Sequence, residues 1–141
     1  MKHIYTCLVF IVAVLVMCSC GGSSSPSNDV TNKPATAAVS GEAIYKKTCI
    51  TCHQANGEGL TSTYPPLAKS DFLADKEKTI GQVIKGFMGE MVVNGVKYNN
   101  VMPAQPLSDE EIAAVLTYVN SHFGNSNGPV TADDVKAVRA K

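Results

Sequence analysis

Two cysteines and a histidine stand together in the stretch CITCH, at residues 49 to 53. Side chains this close in sequence converge on one bound group, so the surrounding chain has to fold around whatever they hold. Three kinds of site use a C-x-x-C pair: half of a zinc site, a dithiol redox switch, and a covalent attachment point for haem. The remainder of the sequence has to decide among them.

The rest of the sequence favours haem attachment. Besides Cys49, Cys52 and His53, the segment after residue 39 offers only the distant His122, which is a poor basis for a tetrahedral zinc site. A thioredoxin-like pair follows a strand in a βαβ unit, whereas this pair follows a helical pattern. Two cysteines on one helical turn can reach both vinyl groups of a porphyrin, and the adjacent histidine then supplies an imidazole nitrogen. Cys49 and Cys52 are the predicted thioether attachments, and His53 is the predicted proximal ligand.

A second axial ligand would decide whether such a haem carries electrons or binds small molecules. Four downstream side chains could supply it: Met88, Met91, Met102 and His122. Met88 continues an apolar helical stripe and Met91 begins a strand, so both are predicted to pack, while His122 is predicted to lie at the surface. Met102 lies in an irregular stretch whose prolines, at 103 and 106, stiffen the backbone and can aim a thioether. Met102 is the predicted distal ligand.

Three amphipathic helices are predicted after residue 39. The first has Ser40 as its N-cap, and the second spans TIGQVIKGFM at 79 to 88. The third follows a capping box of Ser108 and Glu111 and stops at Gly124. Their apolar stripes consist of Ile44 and Tyr45, then Ile80, Val83, Ile84, Phe87 and Met88, then Ile112, Val115, Leu116 and Val119.

One hairpin signal lies between the second and third helices. Asn94 and Gly95 are flanked by strand-forming residues in MVVNGVKY, which is typical of a two-residue turn. The predicted fold is therefore all-α, with about three to five helices and one short β-hairpin before the loop that carries Met102.

The N-terminus has the pattern of an export signal. After Lys2, an apolar run extends without interruption from Leu8 to Met17, too short to span a bilayer but long enough for a signal-peptide core. It resembles a bacterial lipoprotein signal, in which a cysteine preceded by small residues becomes the acylated first residue. Ser19 and Gly21 flank Cys20, the predicted lipidation site, with ordinary secretion as the alternative. The protein is expected to be exported and held at a membrane facing the periplasm.

Composition divides the chain into four parts. Residues 1–19 form the predicted signal peptide, and residues 20–39, rich in Gly, Ser and Pro, bury too little to order themselves and form a predicted flexible tether. Residues 40–125 are the predicted folded domain. Residues 126–141 form a tail, either a short helix capped by Thr131, whose Val135 and Val138 could dock on the domain, or a frayed end. Basic and acidic side chains number 12 each, so nothing in the charge balance suggests nucleic-acid binding.

From residue 41 to about residue 123, the chain resembles the class I monohaem cytochrome c family. The resemblance rests on these features: CITCH, YPPL at 64 to 67, VMPA at 101 to 104, and Gly41 with Tyr45 ahead of Cys49. It implies that the carbonyl of Pro65, with Pro66 as the alternative, accepts a hydrogen bond from the proximal histidine and orients its ring. Gly41 and Tyr45 are then expected to pack on the last helix of the domain.

The resemblance also carries expectations about function. It implies a cytochrome c fold around one covalently attached haem c, ligated by His53 and Met102. GEMVVNGVKYNNVMPA is similar to haem domains associated with copper nitrite reductases and membrane oxidases, in which a hairpin precedes the methionine loop. Such a protein is an electron carrier rather than an enzyme, and a monomer. The implied electron donor is a quinol-oxidising complex, and the implied acceptor is a terminal oxidase or nitrite reductase.

Two other interpretations stay open. The chain could be a haem-bearing subunit of a larger respiratory enzyme, or a gas-binding sensor or weak peroxidase with an open iron site, against which Met102 argues. Tryptophan is absent from the sequence, so other side chains have to hydrogen-bond a haem propionate; the candidates are Tyr64, Tyr98, Asn99 and Asn100. A domain this small is also expected to be largely unfolded without its haem.

Overall fold

A computed structural model describes residues 39–141 of the chain. The predicted signal peptide, the predicted lipidation site Cys20 and nearly all of the predicted tether lie outside the described residues. The elements within 39–141 follow in this order: helix α1 in three consecutive segments (Gly41–Ile44, Tyr45–Cys49, Ile50–His53), a 3-10 turn (Asp71–Ala74), α2 (Lys76–Lys85), β1 (Glu90–Val93), β2 (Val96–Asn99), α3 (Asp109–Ser121) and α4 (Ala132–Arg139). The predicted combination of helices with one short hairpin is confirmed.

Helix α1 begins as predicted but contains a wider turn than the sequence indicates. The hydroxyl oxygen of Ser40 accepts a hydrogen bond of 3.2 Å from the backbone N–H of Ala43, so Ser40 is the N-cap. The middle segment, Tyr45–Cys49, is a π-helical turn, and the N–H of Ile50 bonds to the carbonyl of Tyr45. π-Helical turns are rare in proteins, but those that do occur are often found at functional sites. This one ends at the first cysteine of CITCH.

Helices α1 and α3 cross at close range through Gly41. A methyl group at that position would overlap the backbone carbonyl of Ala114, so only glycine allows this approach. One turn later the buried Tyr45 ring lies 5.6 Å from the Tyr118 ring and 5.2 Å from the Phe123 ring, measured between centroids. The expected packing of Gly41 and Tyr45 on the last helix of the domain is confirmed for α3, and it fixes the orientation of α1.

Helix α2 ends earlier than predicted, and the placement of Met88 in the core was wrong. The helix stops at Lys85 because Gly86 takes a φ of 74°, which a helix cannot continue. Phe87 then forms an isolated antiparallel bridge with Met102. Met88 lies beyond that bridge and is 79% exposed. The apolar residues before Met88 in the sequence suggested that the buried stripe of the helix extends to Met88, but the helix ends at Lys85.

The predicted hairpin is present, with Asn94 and Gly95 at its turn. Both have positive φ, 50° and 76°, as a type I′ turn requires. Asp71 and Asn94 also exchange two hydrogen bonds, each from a backbone N–H to the other's side-chain oxygen, at 3.0 and 2.8 Å. The hairpin is therefore fastened to the 3-10 turn. Val93 and Tyr98 are buried on its inner side.

The last two helices carry nearly half of the buried side chains that the structure describes. The capping box of Ser108 and Glu111 starts α3, as predicted, and the helix stops at Ser121, three residues before Gly124, where the loop turns with a φ of 77°. The predicted apolar stripe of α3 is buried throughout: Ile112, Val115, Leu116 and Val119. In the tail, Thr131 caps α4, whose Val135 and Val138 are buried in the same cluster, so the tail is a docked helix. None of the helices between residues 39 and 141 is long and apolar enough to cross a membrane.

Candidate functional site

The five residues predicted for the folded part of the site line one cleft. It holds about 1210 Å³ of space not filled by protein atoms, its open mouth included. These residues come from three separate stretches of the chain: Cys49, Cys52, His53, Pro65 and Met102. No Asp, Glu, Lys or Arg is among the lining residues that the structure describes. The cleft therefore suits a large, mainly apolar group with a few specific polar contacts.

Cys49 and Cys52 lie on α1 as free, half-buried thiols. Burial raises the pKa of the Cys49 thiol to about 11, and the nearby Cys52 adds to that rise. Before any covalent attachment, Cys49 is thus a neutral thiol at neutral pH. No group of three or more His, Cys, Asp or Glu side chains within residues 39–141 is arranged to hold a metal ion. Within those residues, the thiol pair is therefore not part of a preformed site with the four ligands of structural zinc.

His53 is oriented by the carbonyl of Pro65. The distance from its Nδ1 to that oxygen is 3.0 Å, so a proton on Nδ1 is donated to Pro65, not to the alternative Pro66. Burial lowers the pKa of His53, and the hydrogen bond to Pro65 opposes this only in part. The imidazole is therefore neutral at neutral pH, and the lone pair of Nε2 is available to a metal.

Gly59 brings the Pro65 carbonyl to the histidine, and sequence reasoning missed it. Its φ is 65°, and a methyl group there would overlap the carbonyls of Tyr64 and Pro65. The N–H of Gly59 also donates to the carbonyl of His53 at 3.0 Å. The glycine-rich stretch NGEGL was the available signal, since a positive φ favours glycine. This glycine joins the proximal helix end to the loop that orients the ring.

Met102 is held mainly by the two residues that follow α2. Its N–H and carbonyl form two hydrogen bonds with Phe87, of 2.9 and 2.8 Å. Gly86 lies so close that a Cβ there would meet the carbonyl of Met102 at 2.7 Å. The N–H of Gln105 donates to the carbonyl of Val83 at 2.9 Å. The loop was expected to be stiffened by its prolines, and the structure adds this backbone pairing.

Two further cleft residues, Gln82 and Met91, were not predicted to belong to the site. The Nε2 atom of Gln82 lies 3.8 Å from the sulfur of Met102 and 3.8 Å from the sulfur of Met91. Met91 was predicted only to pack, and its sulfur in fact faces a polar donor. His122 is exposed, as predicted, and its Nδ1 lies 2.8 Å from the carbonyl of Tyr118, outside the cleft lining.

The residues of the cleft fit one haem. Two thiols, an imidazole and a thioether share an uncharged cavity, and these are the groups that bind c-type haem and its iron with neutral donors. Three of the four candidates for a propionate contact also line the cleft: Tyr64, Tyr98 and Asn100. Asn99, the fourth, is exposed and is not among the lining residues.

Comparison with known proteins agrees with this chemistry. Residues 36–119 match the protein family described as cytochrome c oxidase, cbb3-type, subunit III. A cytochrome c-552 of Thermus thermophilus is 40% identical over 118 residues, covering 76% of this chain and 79% of the relative. A fructose dehydrogenase cytochrome subunit of Gluconobacter japonicus is 36% identical over 121 residues, covering 77% of this chain and 24% of the relative. The cytochrome c subunit of a quinone alcohol dehydrogenase of Gluconacetobacter polyoxogenes is 29% identical over 119 residues, covering 74% of this chain and 23% of the relative.

Proposed function

Because this chain belongs to the cytochrome c family, in the group described as cytochrome c oxidase, cbb3-type, subunit III, we propose that Cys49 and Cys52 attach its haem c and that His53 and Met102 ligate the iron. The chain transfers electrons as a c-type cytochrome; it is an electron carrier or a carrier subunit, with one haem c for a domain of this size. Bound haem c supplies a one-electron couple between ferric and ferrous iron.

Each proposed residue has a distinct task in tuning that couple. His53, held by Pro65, presents a neutral imidazole whose hydrogen bond makes it a better donor to a metal. The Met102 thioether is a soft, neutral ligand that favours the reduced state. The cleft walls carry no formal charge, so burial there penalises the extra positive charge of the oxidised centre. The Met102 thioether and the uncharged walls therefore raise the reduction potential, whereas the stronger donation from His53 lowers it.

The observation that carries this proposal is that two thiols, one imidazole and one thioether meet in one uncharged cleft. The test is the absorption spectrum of the purified protein, oxidised and reduced. A Met102→Ala variant should lose the weak band near the red end that reports methionine ligation, and its ferrous form should bind carbon monoxide. Met88→Ala is the matched control, because Met88 is exposed and outside the cleft lining. A colourless protein, or an unchanged band in Met102→Ala, would contradict the proposal.

We also propose that Cys20 is acylated and anchors the mature protein to a membrane facing the periplasm. The support is the sequence pattern around Cys20, and acyl chains contribute about 0.8 kcal/mol per buried methylene. A Cys20→Ser variant should move from the membrane fraction to the soluble periplasmic fraction. Cys18→Ser, two residues away, should leave the protein in the membrane fraction. If both variants stay with the membrane, the anchor lies elsewhere.

Redox partners are proposed to dock through a small, weakly polar contact around Cys52, Met102 and Ala104. Val101, which lines the cleft, is 53% exposed, so an apolar side chain stands at its rim. The proposed donor is a quinol-oxidising complex, and the proposed acceptor is a terminal oxidase or nitrite reductase. Turnover with such partners should change little with added salt, because an apolar contact is not screened. A steep loss of turnover with salt would contradict this contact.

The second candidate function is that of a permanent haem subunit in a larger oxidoreductase. It is favoured by the relatives described as cytochrome subunits of fructose and alcohol dehydrogenases. Purification of the native protein in mild detergent distinguishes the two. A free carrier should elute at its own mass, whereas a subunit should elute with other chains in fixed ratio.

A further inference from the structure

The side chain of Gln82 lies between two methionine sulfurs at the distal side of the cleft. Its Nε2 atom is 3.8 Å from Met91 Sδ and 3.8 Å from Met102 Sδ, so the sulfurs can be no further apart than twice that distance. Met91 belongs to β1 and Met102 to the loop before α3. One amide group therefore connects the hairpin with the proposed ligand.

The backbone fixes all three residues in this arrangement. Gln82 lies on α2 beside the buried Val83. Met91 alternates with the exposed Val92 and so shares the inner side of β1 with Val93. Met102 is held by its paired hydrogen bonds to Phe87, described above. The contact between the amide and both sulfurs is thus built into three separate elements.

The chemistry of an amide explains why two sulfurs matter. A primary amide has two N–H donors in one plane, so contact with both sulfurs keeps that plane between them. A hydrogen bond to a thioether withdraws electron density from the sulfur, and hydrogen bonds to ligating sulfurs are one of the ways in which proteins set reduction potentials. If one sulfur were removed, the amide could turn fully towards the other.

We propose that Gln82 is a positioning residue for Met102 and that Met91 acts as a second acceptor, which limits the hydrogen bond from Gln82 to Met102. This inference rests on the ligation by Met102 proposed above. In this arrangement Met91 lowers the reduction potential without touching the iron. A merely structural Met91 would fill space and leave the potential unchanged when replaced by an apolar side chain of similar volume.

The test is a double-mutant cycle on the holoprotein, read out as the reduction potential. Met91→Leu conserves volume and should raise the potential, because Gln82 then donates to Met102 alone. A neutral hydrogen bond contributes about 0.5–1.5 kcal/mol, so the ratio of reduced to oxidised protein at fixed potential should rise roughly two- to tenfold. Tenfold corresponds to about 59 mV for one electron. In a Gln82→Leu background, Met91→Leu should have no effect.

Controls separate this inference from the ligand assignment. Met88→Leu, the same change at an exposed position, should leave the potential unaltered. The variants at Gln82, Met88 and Met91 should keep the weak red band of methionine ligation. Met102→Ala should lose it. If Met102→Ala keeps the band, the ligand assignment has failed. If the band behaves as expected but Met91→Leu leaves the potential unchanged or lowers it, or shifts it equally in both backgrounds, only the role of Met91 is overturned.

A measurement on the unaltered protein covers the case in which Gln82→Leu does not fold. In proton NMR of the reduced, diamagnetic holoprotein, the side-chain amide protons of Gln82 should show nuclear Overhauser contacts to the methyl groups of both Met91 and Met102. Contacts to both support the shared hydrogen bond. The absence of either contact overturns the shared hydrogen bond.

Discussion

Gly59 controls the distance between His53, the proposed proximal ligand, and the Pro65 carbonyl that orients it. Its N–H donates to the carbonyl of His53, and its α-carbon lies directly against the carbonyls of Tyr64 and Pro65. The same residue therefore contacts both sides of the hydrogen bond between His53 and Pro65. A change here reaches the imidazole without altering any ligand.

Gly59→Ala should destabilise the holoprotein more than Gly95→Ala does. Both glycines have positive φ, but a methyl group at Gly95 meets nothing within 4 Å. Gly95→Ala should cost about 1–2 kcal/mol for the backbone conformation alone. Gly59→Ala adds the overlap with Pro65, roughly 1–3 kcal/mol more, and should raise the potential, because displacing the hydrogen bond makes His53 a weaker donor to the oxidised iron. Chemical denaturation measures the free energies of unfolding, and redox titration measures the reduction potentials. Equal losses of stability in Gly59→Ala and Gly95→Ala would contradict the role of Gly59.

The proposed ligand residues could be nominated from the sequence because their chemistry depends on local spacing and residue type. CITCH places two thiols and an imidazole together on any helix, and the resemblance implied the Pro65 contact that the structure shows at 3.0 Å. Gln82 could not be predicted, since its contact with two sulfurs depends on how α2 meets the hairpin and the loop of Met102. Met88 was misplaced because Gly86 ends α2 before it.

At the scale of elements, α4 connects three other parts of the domain. Arg139 donates to the carboxylate of Asp109 at 2.8 Å and to the carbonyl of Leu107 at 3.2 Å. Asp134 accepts a hydrogen bond from Lys76 of α2 at 3.3 Å. Leu107 lines the cleft and belongs to the loop that carries the proposed distal ligand. Helix α4 therefore supports that loop on the side away from the cleft. The Thr131 cap and the possible docking of Val135 and Val138 were visible in the sequence, but the choice between a docked helix and a frayed end was not, because it depends on these distant partners.

Val135 is the buried anchor of α4, with no exposed surface. Val135→Ala should lower the free energy of unfolding by about 1–3 kcal/mol, through lost burial and the cavity left behind. Val92→Ala is the matched control, because Val92 is 52% exposed and its truncation should cost little. Thermal denaturation of the two holoproteins measures the difference. If Val135→Ala and Val92→Ala unfold at the same temperature, α4 does not contribute to the stability of the domain.

The N-terminus of α4 should loosen in acid. Hydrogen bonds from the backbone and side chain of Thr131, and then Lys76, lower the pKa of Asp134 below its ordinary value of 3.8. A carboxyl group whose pKa is lower in the folded state stabilises that state above its unfolded pKa, and this contribution is lost as pH falls through the folded pKa. Amide hydrogen exchange in α4 should therefore gain a component that rises below about pH 4.

Asp134→Asn is the control for that pH dependence. The amide keeps the shape of the carboxyl group but does not titrate, so the acid-dependent component of α4 exchange should disappear in this variant. The exchange rates of α3, whose capping box is separate, should not differ between the two proteins. An acid response that persists in Asp134→Asn must come from another group.

At the scale of the whole molecule, the cleft lies where a small protein would otherwise have its core. The buried cluster contains residues from every helix, and several of its members also line the cleft: Leu73, Val83, Val115, Leu116 and Val119. The same side chains thus hold the helices together and face about 1210 Å³ of space. Small domains bury a low fraction of their surface, so contacts with the bound group are a large part of what stabilises the fold.

The chain should therefore be largely unfolded when haem cannot be attached. A Cys49→Ser/Cys52→Ser variant removes both thioether sites while leaving the helix-forming pattern of α1 unchanged, so a loss of helix reports the missing contacts rather than local propensity. Its far-ultraviolet circular dichroism should show much less helix than the holoprotein. The unaltered chain, produced in a compartment without haem attachment, is the matched control and should give the same spectrum as the variant. A spectrum like that of the holoprotein from either sample would mean that the four helices pack stably around an empty cleft. The stability would then have to come from the contacts between the protein's own elements alone.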